Sequence, residues 1–225
     1  PAKSLRRHRL WHISSGSLAH ASLEDNRSGD NIEFVFGLNR SMRFCFPPFF
    51  FSAMSDIQVR FATQKDAAEV AALHASACRA AYTGQVPEAH WDSTPLPKRV
   101  SFWKEAIEYG EPQVMVALEG GSIVGFVGFD RSRDPKSKNT TGEIWAIYAD
   151  PDRLGEGVGL ALWDAAREGL LEEDCTDVTI WVPLLNERTV RFHELAGFKR
   201  EMNTARTVPF GAVKVEEVRM KRSLS

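Results

Sequence analysis

Three glycines at alternate positions, Gly155, Gly157 and Gly159, are the residues of this chain whose spacing most plainly points to chemistry. They fall in the stretch GEIWAIYADPDRLGEGVGL, residues 142–160, which reads as an apolar strand, a sharp Asp150-Pro151 turn and the start of an amphipathic helix. With no side chains there, a ligand can approach the main chain closely. The first N–H groups of a helix lack intrahelical acceptors and sit at the positive end of its dipole. A strand feeding a glycine-rich turn into a helix start is therefore a seat for a phosphate. Two common versions of such a seat fail here. A P-loop needs Gly-Lys-Ser/Thr after its glycines, and none is present. A dinucleotide fingerprint needs G-x-G-x-x-G near the first strand of a βαβ array, whereas this is G-x-G-x-G late in the chain.

The elements that must hold the seat can be read on both sides of it. Residues 57–61 alternate apolar and polar, the period of a half-buried strand. Thr63-Gln64-Lys65-Asp66 opens a helix whose apolar stripe is Ala67, Val70, Ala71, Leu73, His74 and Ala77, with His74 read as a packed core residue. Tyr82-Thr83-Gly84 ends it. Pro87, Trp91, Pro95 and Pro97 mark an irregular passage into a second helix over 97–109, with Val100, Trp103 and Ile107 inward. Strands follow at 113–118 and 122–129, joined by the hairpin signal Glu119-Gly120-Gly121. A polar loop over 131–141 leads to the key strand, 143–149, and then a helix from about 156 to 172 with Val158, Leu162, Ala165, Ala166 and Gly169 on one face. After a strand at 178–182, Asn186 caps a helix over 187–196 that Gly197 stops. Strands at 198–202 and 212–220 close the chain. The order β-α-α-β-β-β-α-β-α-β-β predicts an α/β protein of α+β type with one mixed sheet.

Composition narrows the class of function. A 225-residue chain of formal net charge −2 is a poor nucleic-acid binder, because phosphate-backbone binding wants a basic surface. Cys45, Cys78 and Cys175 are too few and too irregularly spaced for a disulfide framework or a metal knuckle, so a reducing, cytoplasmic setting is expected and no metal is. No apolar run is long enough to cross a membrane. Residues 1–53 differ from the rest: Lys3, Arg6, Arg7, Arg9, Arg27, Arg40 and Arg43 outnumber Glu24, Asp25, Asp30 and Glu33, and Pro47-Pro48 interrupts a phenylalanine cluster. They read as an extension outside the fold, mostly disordered, with the domain occupying 54–225. A basic targeting arm is the other reading, and the four acids count against it.

Residues 142–200 resemble the GNAT superfamily of acyl-CoA-dependent N-acetyltransferases, and residues 57–221 match its element order. Three pieces carry the resemblance. D-P-x-x-x-G-x-G-V-G looks like the family's acetyl-CoA pyrophosphate loop; Asn186 opens the helix after the next strand; and Arg191-Phe192-His193-Glu194-Leu195-Ala196-Gly197-Phe198 looks like the family's helix-to-strand ending. There are two departures. Leu154, with Arg153 beside it, stands where the family usually has Gln or Arg, and His193 stands where it often has Tyr.

The resemblance implies the GNAT-like acyl-CoA N-acyltransferase fold and acetyl transfer from acetyl-CoA, as co-substrate, to a primary amine by direct attack. The main chain of Leu154, Gly155, Glu156, Gly157, Val158 and Gly159 would grip the pyrophosphate, with Arg153 or Arg188 as point charges and Asn186 nearby. The main chain of Ile147, Tyr148 and Ala149 would bind the pantetheine arm like an added strand. Glu143, the carboxylate on that strand, is the first choice for the base that deprotonates the amine, through a water; a hydrogen-bonded strand-end carboxylate is the alternative. His193 would protonate the departing sulfur, or else merely touch the cofactor or pack, and Tyr148 is a lesser candidate acid. Cys78 and Cys175 read as packing residues, and Trp145, Trp163 and Trp181 as core. Tyr82, Trp91 and the 83–97 segment would border the acceptor side. The resemblance also admits a homodimer. A non-catalytic acyl-CoA-binding module and an interaction domain on an inherited scaffold are the rivals; the glycines speak against the second.

Overall fold

Strict alternation makes Gln58–Phe61 a strand, β1, with Val59 fully buried. The computed structural model describes residues 57–224, apart from 85, 88–90, 92–94, 136, 211 and 212. The extension over 1–53 and a domain start near Met54 lie outside the described residues. After β1 the chain turns on Asp66, whose carboxylate accepts from the Thr63 N–H at 2.6 Å and from the Arg60 guanidinium at 2.7 and 2.9 Å. That anchors helix α1, Ala67–Ala81, whose buried face is the predicted stripe from Ala67 to Ala77. Helix α2, Leu96–Tyr109, starts on prolines and stops at Gly110, which takes the left-handed conformation that favours glycine. Together α1 and α2 cover one face of the sheet, packing Val70, Trp103 and Ala106 against Val114, Val116 and Phe126.

Strands β2, Gln113–Glu119, and β3, Ser122–Arg131, form the hairpin that Gly120-Gly121 allows, and β4, Thr141–Ala149, lies antiparallel to β3. Helix α3, Val158–Glu172, then crosses to β5, Asp177–Pro183, which runs parallel to β4. Helix α4, Glu187–Leu195, is capped as expected, the Asn186 side chain accepting from the Thr189 N–H at 3.1 Å. Strands β6, Lys199–Arg200, β7, Arg206–Phe210, and β8, Val213–Ser223, follow. The eight strands form one mixed sheet in the order β1-β2-β3-β4-β5-β8-β6, with β7 paired to β8. No helix among the described residues is long and apolar enough to cross a membrane.

Two boundaries differ from the sequence reading. Residues 198–202 hold only the short β6, and an unforeseen strand, β7, contains Pro209. Proline argues against a strand unless the strand is an edge, and among the described residues β7 pairs only with β8. The glycine helix starts at Val158 rather than near residue 156, because Gly155 and Gly157 have φ of +92° and +91° and cannot continue a helix.

Helix α3 lies close on the sheet. A Cβ at Gly125 would sit 2.6 Å from the Val158 side chain and 3.0 Å from the Tyr148 carbonyl oxygen; one at Gly169 would sit 2.6 Å from the Phe129 ring. Gly125→Ala should therefore destabilise the fold by about 1–3 kcal/mol, the usual cost of overpacking. Urea unfolding should show a lower midpoint with an unchanged slope. An unchanged midpoint would mean that α3 sits further from β3 than these distances say.

Candidate active site

The site grows from the way β4 leaves its partners. Its parallel pairing with β5 runs from Thr141↔Asp177 to Ile144↔Ile180 and stops, while β4 continues to Ala149 and β5 to Pro183. Burial changes at the same point, from buried over 141–144 to half-buried over 145–149. Beyond Ile144, β4 keeps β3 on one side and, among the described residues, has no strand on the other. Such an edge can take an extended ligand as an added strand. Ile147, Tyr148 and Ala149 all lie on it.

Trp145 is a bulge: Ile144 faces Phe129 and Ala146 faces Gly128, so one residue of β4 has no opposite number. The bulge shifts the alternation of faces. Ile144, Ile147 and Ala149 belong to the core under α3, whereas Ala146 and Tyr148 belong to the core under α1 and α2. Glu143, next to Ile144, points to the second face. Glu143 and Tyr148 are five apart and would oppose each other on a regular strand; the bulge puts them on the same face.

At the end of β4, Asp150 accepts from the Asp152 N–H at 3.0 Å and shapes a short turn over Pro151–Arg153. Left-handed Gly155 and Gly157 then bring the chain into α3 with no side-chain cap and no acid in the first turn. An added Cβ at either would meet nothing within 4 Å, so their outer side is open. Uncapped N–H groups in the first turn of a helix can seat an anion. Gly159 serves differently: a Cβ there would lie 3.2 Å from the Phe192 ring, so this glycine lets α4 approach α3. Arg153 is engaged with Glu119, and with Glu156 at 3.1 Å. Arg188 is exposed on α4, in a groove it shares with Arg191 and Arg200.

Glu143 is buried, at 2% exposure, and its carboxylate is clasped by one residue of the β3–β4 loop. Arg133 gives its backbone N–H to Oε2 at 2.8 Å and its Nε to the same oxygen at 3.3 Å, while Nη2 donates to Oε1. The same guanidinium lies 3.7 Å from the centroid of the Trp145 ring. The next residue, Asp134, accepts from the Trp181 indole at 3.1 Å and from Arg219 at 3.0 Å, and Arg206 lies 3.4 Å over the Trp181 ring. Trp145 and Trp181 are thus half-buried and capped by arginines, while Trp163 is a core residue packed edge-on to Phe198. The sequence reading put all three in the core and missed Arg133 and Asp134. Nothing in a polar loop marks which of its residues will reach the sheet.

His193 lies in the interior at 2% exposure, edge-on to Phe192 and Phe198. Its Nδ1 meets the Thr189 carbonyl oxygen at 2.8 Å, which fixes the proton on Nδ1. Burial pushes its pKa down to about 4, more strongly than that hydrogen bond raises it. The ring is neutral at pH 7, so it holds no imidazolium proton to give to a departing thiolate, and burial makes it a weak base as well. Tyr148 is the opposite case. Burial raises its phenol well above the ordinary range, so it keeps its proton, and its oxygen accepts from the Cys78 thiol at 3.3 Å. Burial also raises the thiols of Cys78 and Cys175, in keeping with packing roles. His74 is half-buried among Trp103, Phe126 and Tyr148, and burial brings it too down to about 4. On the side expected to receive an acceptor, Tyr82 stacks on Phe210 with ring centroids 4.9 Å apart, and Trp91 meets Phe210 edge-on.

Comparison with known proteins agrees with this geometry. Residues 63–198 match the model of the acetyltransferase (GNAT) family. An uncharacterized N-acetyltransferase, YuaI, of Bacillus subtilis is 30% identical over 127 residues, covering 56% of this chain and 71% of the relative. A mycothiol acetyltransferase of Acidimicrobium ferrooxidans is 27% identical over 57% of this chain, which spans only 40% of that relative's length. Among solved structures, YncA of Salmonella typhimurium with acetyl-CoA superposes at a TM-score of 0.59, with 20% identity over 76% of this chain and 95% of its own. The PaiA N-acetyltransferase of Thermoplasma acidophilum with coenzyme A gives 0.61, at 16% identity over 74% and 98%.

The state of His193 can be tested by stability against pH. Its folded pKa lies below the unfolded value of about 6.5, so the unfolded chain binds more protons between those values. Stability is full above about pH 6.5 and falls as pH drops toward 4. His193→Asn should remove one histidine's share of that slope, up to about 1.4 kcal/mol per pH unit, leaving the share of His74. An unchanged slope would show that His193 is not held neutral.

Proposed function

Because the chain belongs to the acetyltransferase (GNAT) family, we propose that it transfers an acetyl group from acetyl-CoA to a primary amine of a small molecule or protein, the amine attacking directly within a ternary complex. The observation that carries this reading is one junction. An uncapped helix start, entered through left-handed Gly155 and Gly157, directly follows a strand whose last residues have an open edge. The two features are an anion seat and a strand-like slot in series, and a pyrophosphate with an extended amide-bearing arm has that sequence of groups. Acetyl-CoA would supply an acetyl group activated as a thioester.

The chain's own groups account for the rest. Main-chain N–H groups from Leu154 to Gly159 would take the pyrophosphate, and those of Ile147, Tyr148 and Ala149 the arm. An N–H aimed at the thioester carbonyl would stabilise its developing negative charge, an effect worth roughly 10²–10³ in rate. Asn186 is committed to capping α4, so its part would be to set the direction of that helix rather than to bind through its side-chain oxygen. Arg153 is paired with Glu119 and Glu156, which favours exposed Arg188 as the free cationic contact. We assign the base to Glu143, which would take the proton of the acceptor's ammonium directly or through a water. For the proton donor we put Tyr148, which lies on the open edge of β4 and carries its proton at pH 7, before the neutral His193, whose ring is taken up in the packing of α4. The aromatic wall of Tyr82, Trp91 and Phe210 would meet the acceptor. The buried free thiols of Cys78 and Cys175 suit a reducing, cytoplasmic setting.

A second reading, a non-catalytic acyl-CoA-binding module, is favoured by the clasp of Arg133 on Glu143, which leaves that carboxylate ion-paired. Calorimetric titration of acetyl-CoA should show binding to the full chain and none to Gly157→Glu, which fills the open side of the seat with a like charge. Thiol release with a panel of primary amines should then fall about 10²–10⁴-fold in Glu143→Gln at unchanged acetyl-CoA affinity. Binding without thiol release in any protein of the set would establish the module. No binding to the folded wild type would overturn both readings.

A further inference from the structure

We propose that Glu143 and the ring of Trp145 form the seat for the acceptor's ammonium group, and that Arg133 occupies this seat as a tethered competitor the acceptor must displace. The proposal rests on the acetyltransferase reading and adds to it a specificity-determining residue. Its basis is the chemistry Arg133 satisfies. A cation is recognised by a carboxylate and by the face of an indole, and Arg133 has both, with Nε 3.3 Å from Glu143 and the guanidinium carbon 3.7 Å from the Trp145 ring centroid. An ammonium would find the same two partners.

The pair is more lopsided than the other ion pairs among the described residues, the next being Arg206 with Glu217. The Glu143 side chain is 3% exposed and the Arg133 side chain 54%, so the carboxylate is at the bottom of a recess and the cation is its stopper. The Trp145 indole nitrogen beside it is buried and has no hydrogen-bond partner. Trp145 is also the bulge residue just past the last pair of β4 with β5, so the contact lies where the two strands part.

The loop does not depend on the Arg133 side chain. Asp134 ties it to Trp181 and Arg219, and Ser132 and Ser137 join across it, hydroxyl to hydroxyl, at 2.9 Å. Removing the guanidinium therefore vacates the seat while leaving its walls. A tethered competitor acts at an effective concentration in the millimolar range, so an acceptor gains entry only if its other contacts outweigh that of the arginine. Simple monoamines are thereby disfavoured relative to amines that also engage the surrounding wall.

The test uses the ethylammonium ion as probe, followed through the indole N–H resonance of Trp145 in the full chain, with acetyl-CoA calorimetry on the same samples. Arg133→Ala should bind ethylammonium at least about tenfold more tightly than wild type, and Arg133→Ala with Glu143→Gln should lose that gain. Arg133→Lys, which restores a tethered cation, should return affinity toward the wild-type value. Equal affinity in wild type and Arg133→Ala, or a gain that survives Glu143→Gln, would overturn the proposal. Loss of acetyl-CoA binding in the folded wild type would instead overturn the reading beneath it. A variant that no longer shows the folded spectrum is replaced by Arg133→Gln, judged by the same two comparisons.

Discussion

The parting of β4 from β5 after the Ile144–Ile180 pair is the constraint on which the rest of the structure depends. Backbone N–H and C=O groups in a sheet must find partners or water. A central strand that loses its neighbour halfway along is tolerable only if the gap stays open to solvent or to a ligand. The step from buried to half-buried at Trp145 shows the first condition met. The cost of two unfinished ladders is offset by the packing of α3, which crosses between the same strands and buries Val158, Leu162, Trp163 and Leu170. Gly125, Gly142 and Gly169 let that helix lie close, each standing where a methyl group would come within 3.0 Å of a neighbour.

The two ends of the opening have different chemistry because different elements close them. At the far end of β4, left-handed Gly155 and Gly157 turn the chain into α3 and present bare N–H groups. At the near end, one residue past the last paired residues, stand Trp145 and Trp181, each under an arginine. The β3–β4 loop links them, Arg133 to the first and Asp134 to the second. Bare helix N–H groups and a carboxylate held under an arginine thus stand toward opposite ends of β4. That polarity suits joining an anionic acyl carrier to a cationic amine. The bulge at Trp145 is what puts Glu143 and Tyr148 on the same face of the strand between them.

Burial assigns the titratable groups to their states. His193 and His74 lose their charge on being buried, whereas the Tyr148 phenol keeps its proton for the same physical reason, since a low-dielectric interior disfavours the charged form of each. A histidine near the end of a helix, such as His193, looks in sequence like a proton donor because its ordinary pKa lies near neutrality. In the fold it is a neutral wedge between Phe192 and Phe198.

The sequence alone determined what depends on neighbouring residues. The 3.6- and 2-residue periods marked helices α1 to α4 and most of the described strands, Asn186 and Gly197 bounded α4, and the glycines at 155 and 157 announced the turn into α3, because each is a local property of the backbone. Pairing and side-chain contact were another matter. That β4 and β5 separate after four pairs, that Trp145 is a bulge, that β7 tolerates Pro209 as an edge, and that Arg133 and Asp134 reach back from a loop to Glu143 and Trp181 are set by residues distant in the chain. So are the protonation states of His193 and Tyr148, since a pKa follows the dielectric and the partners that only tertiary packing assembles.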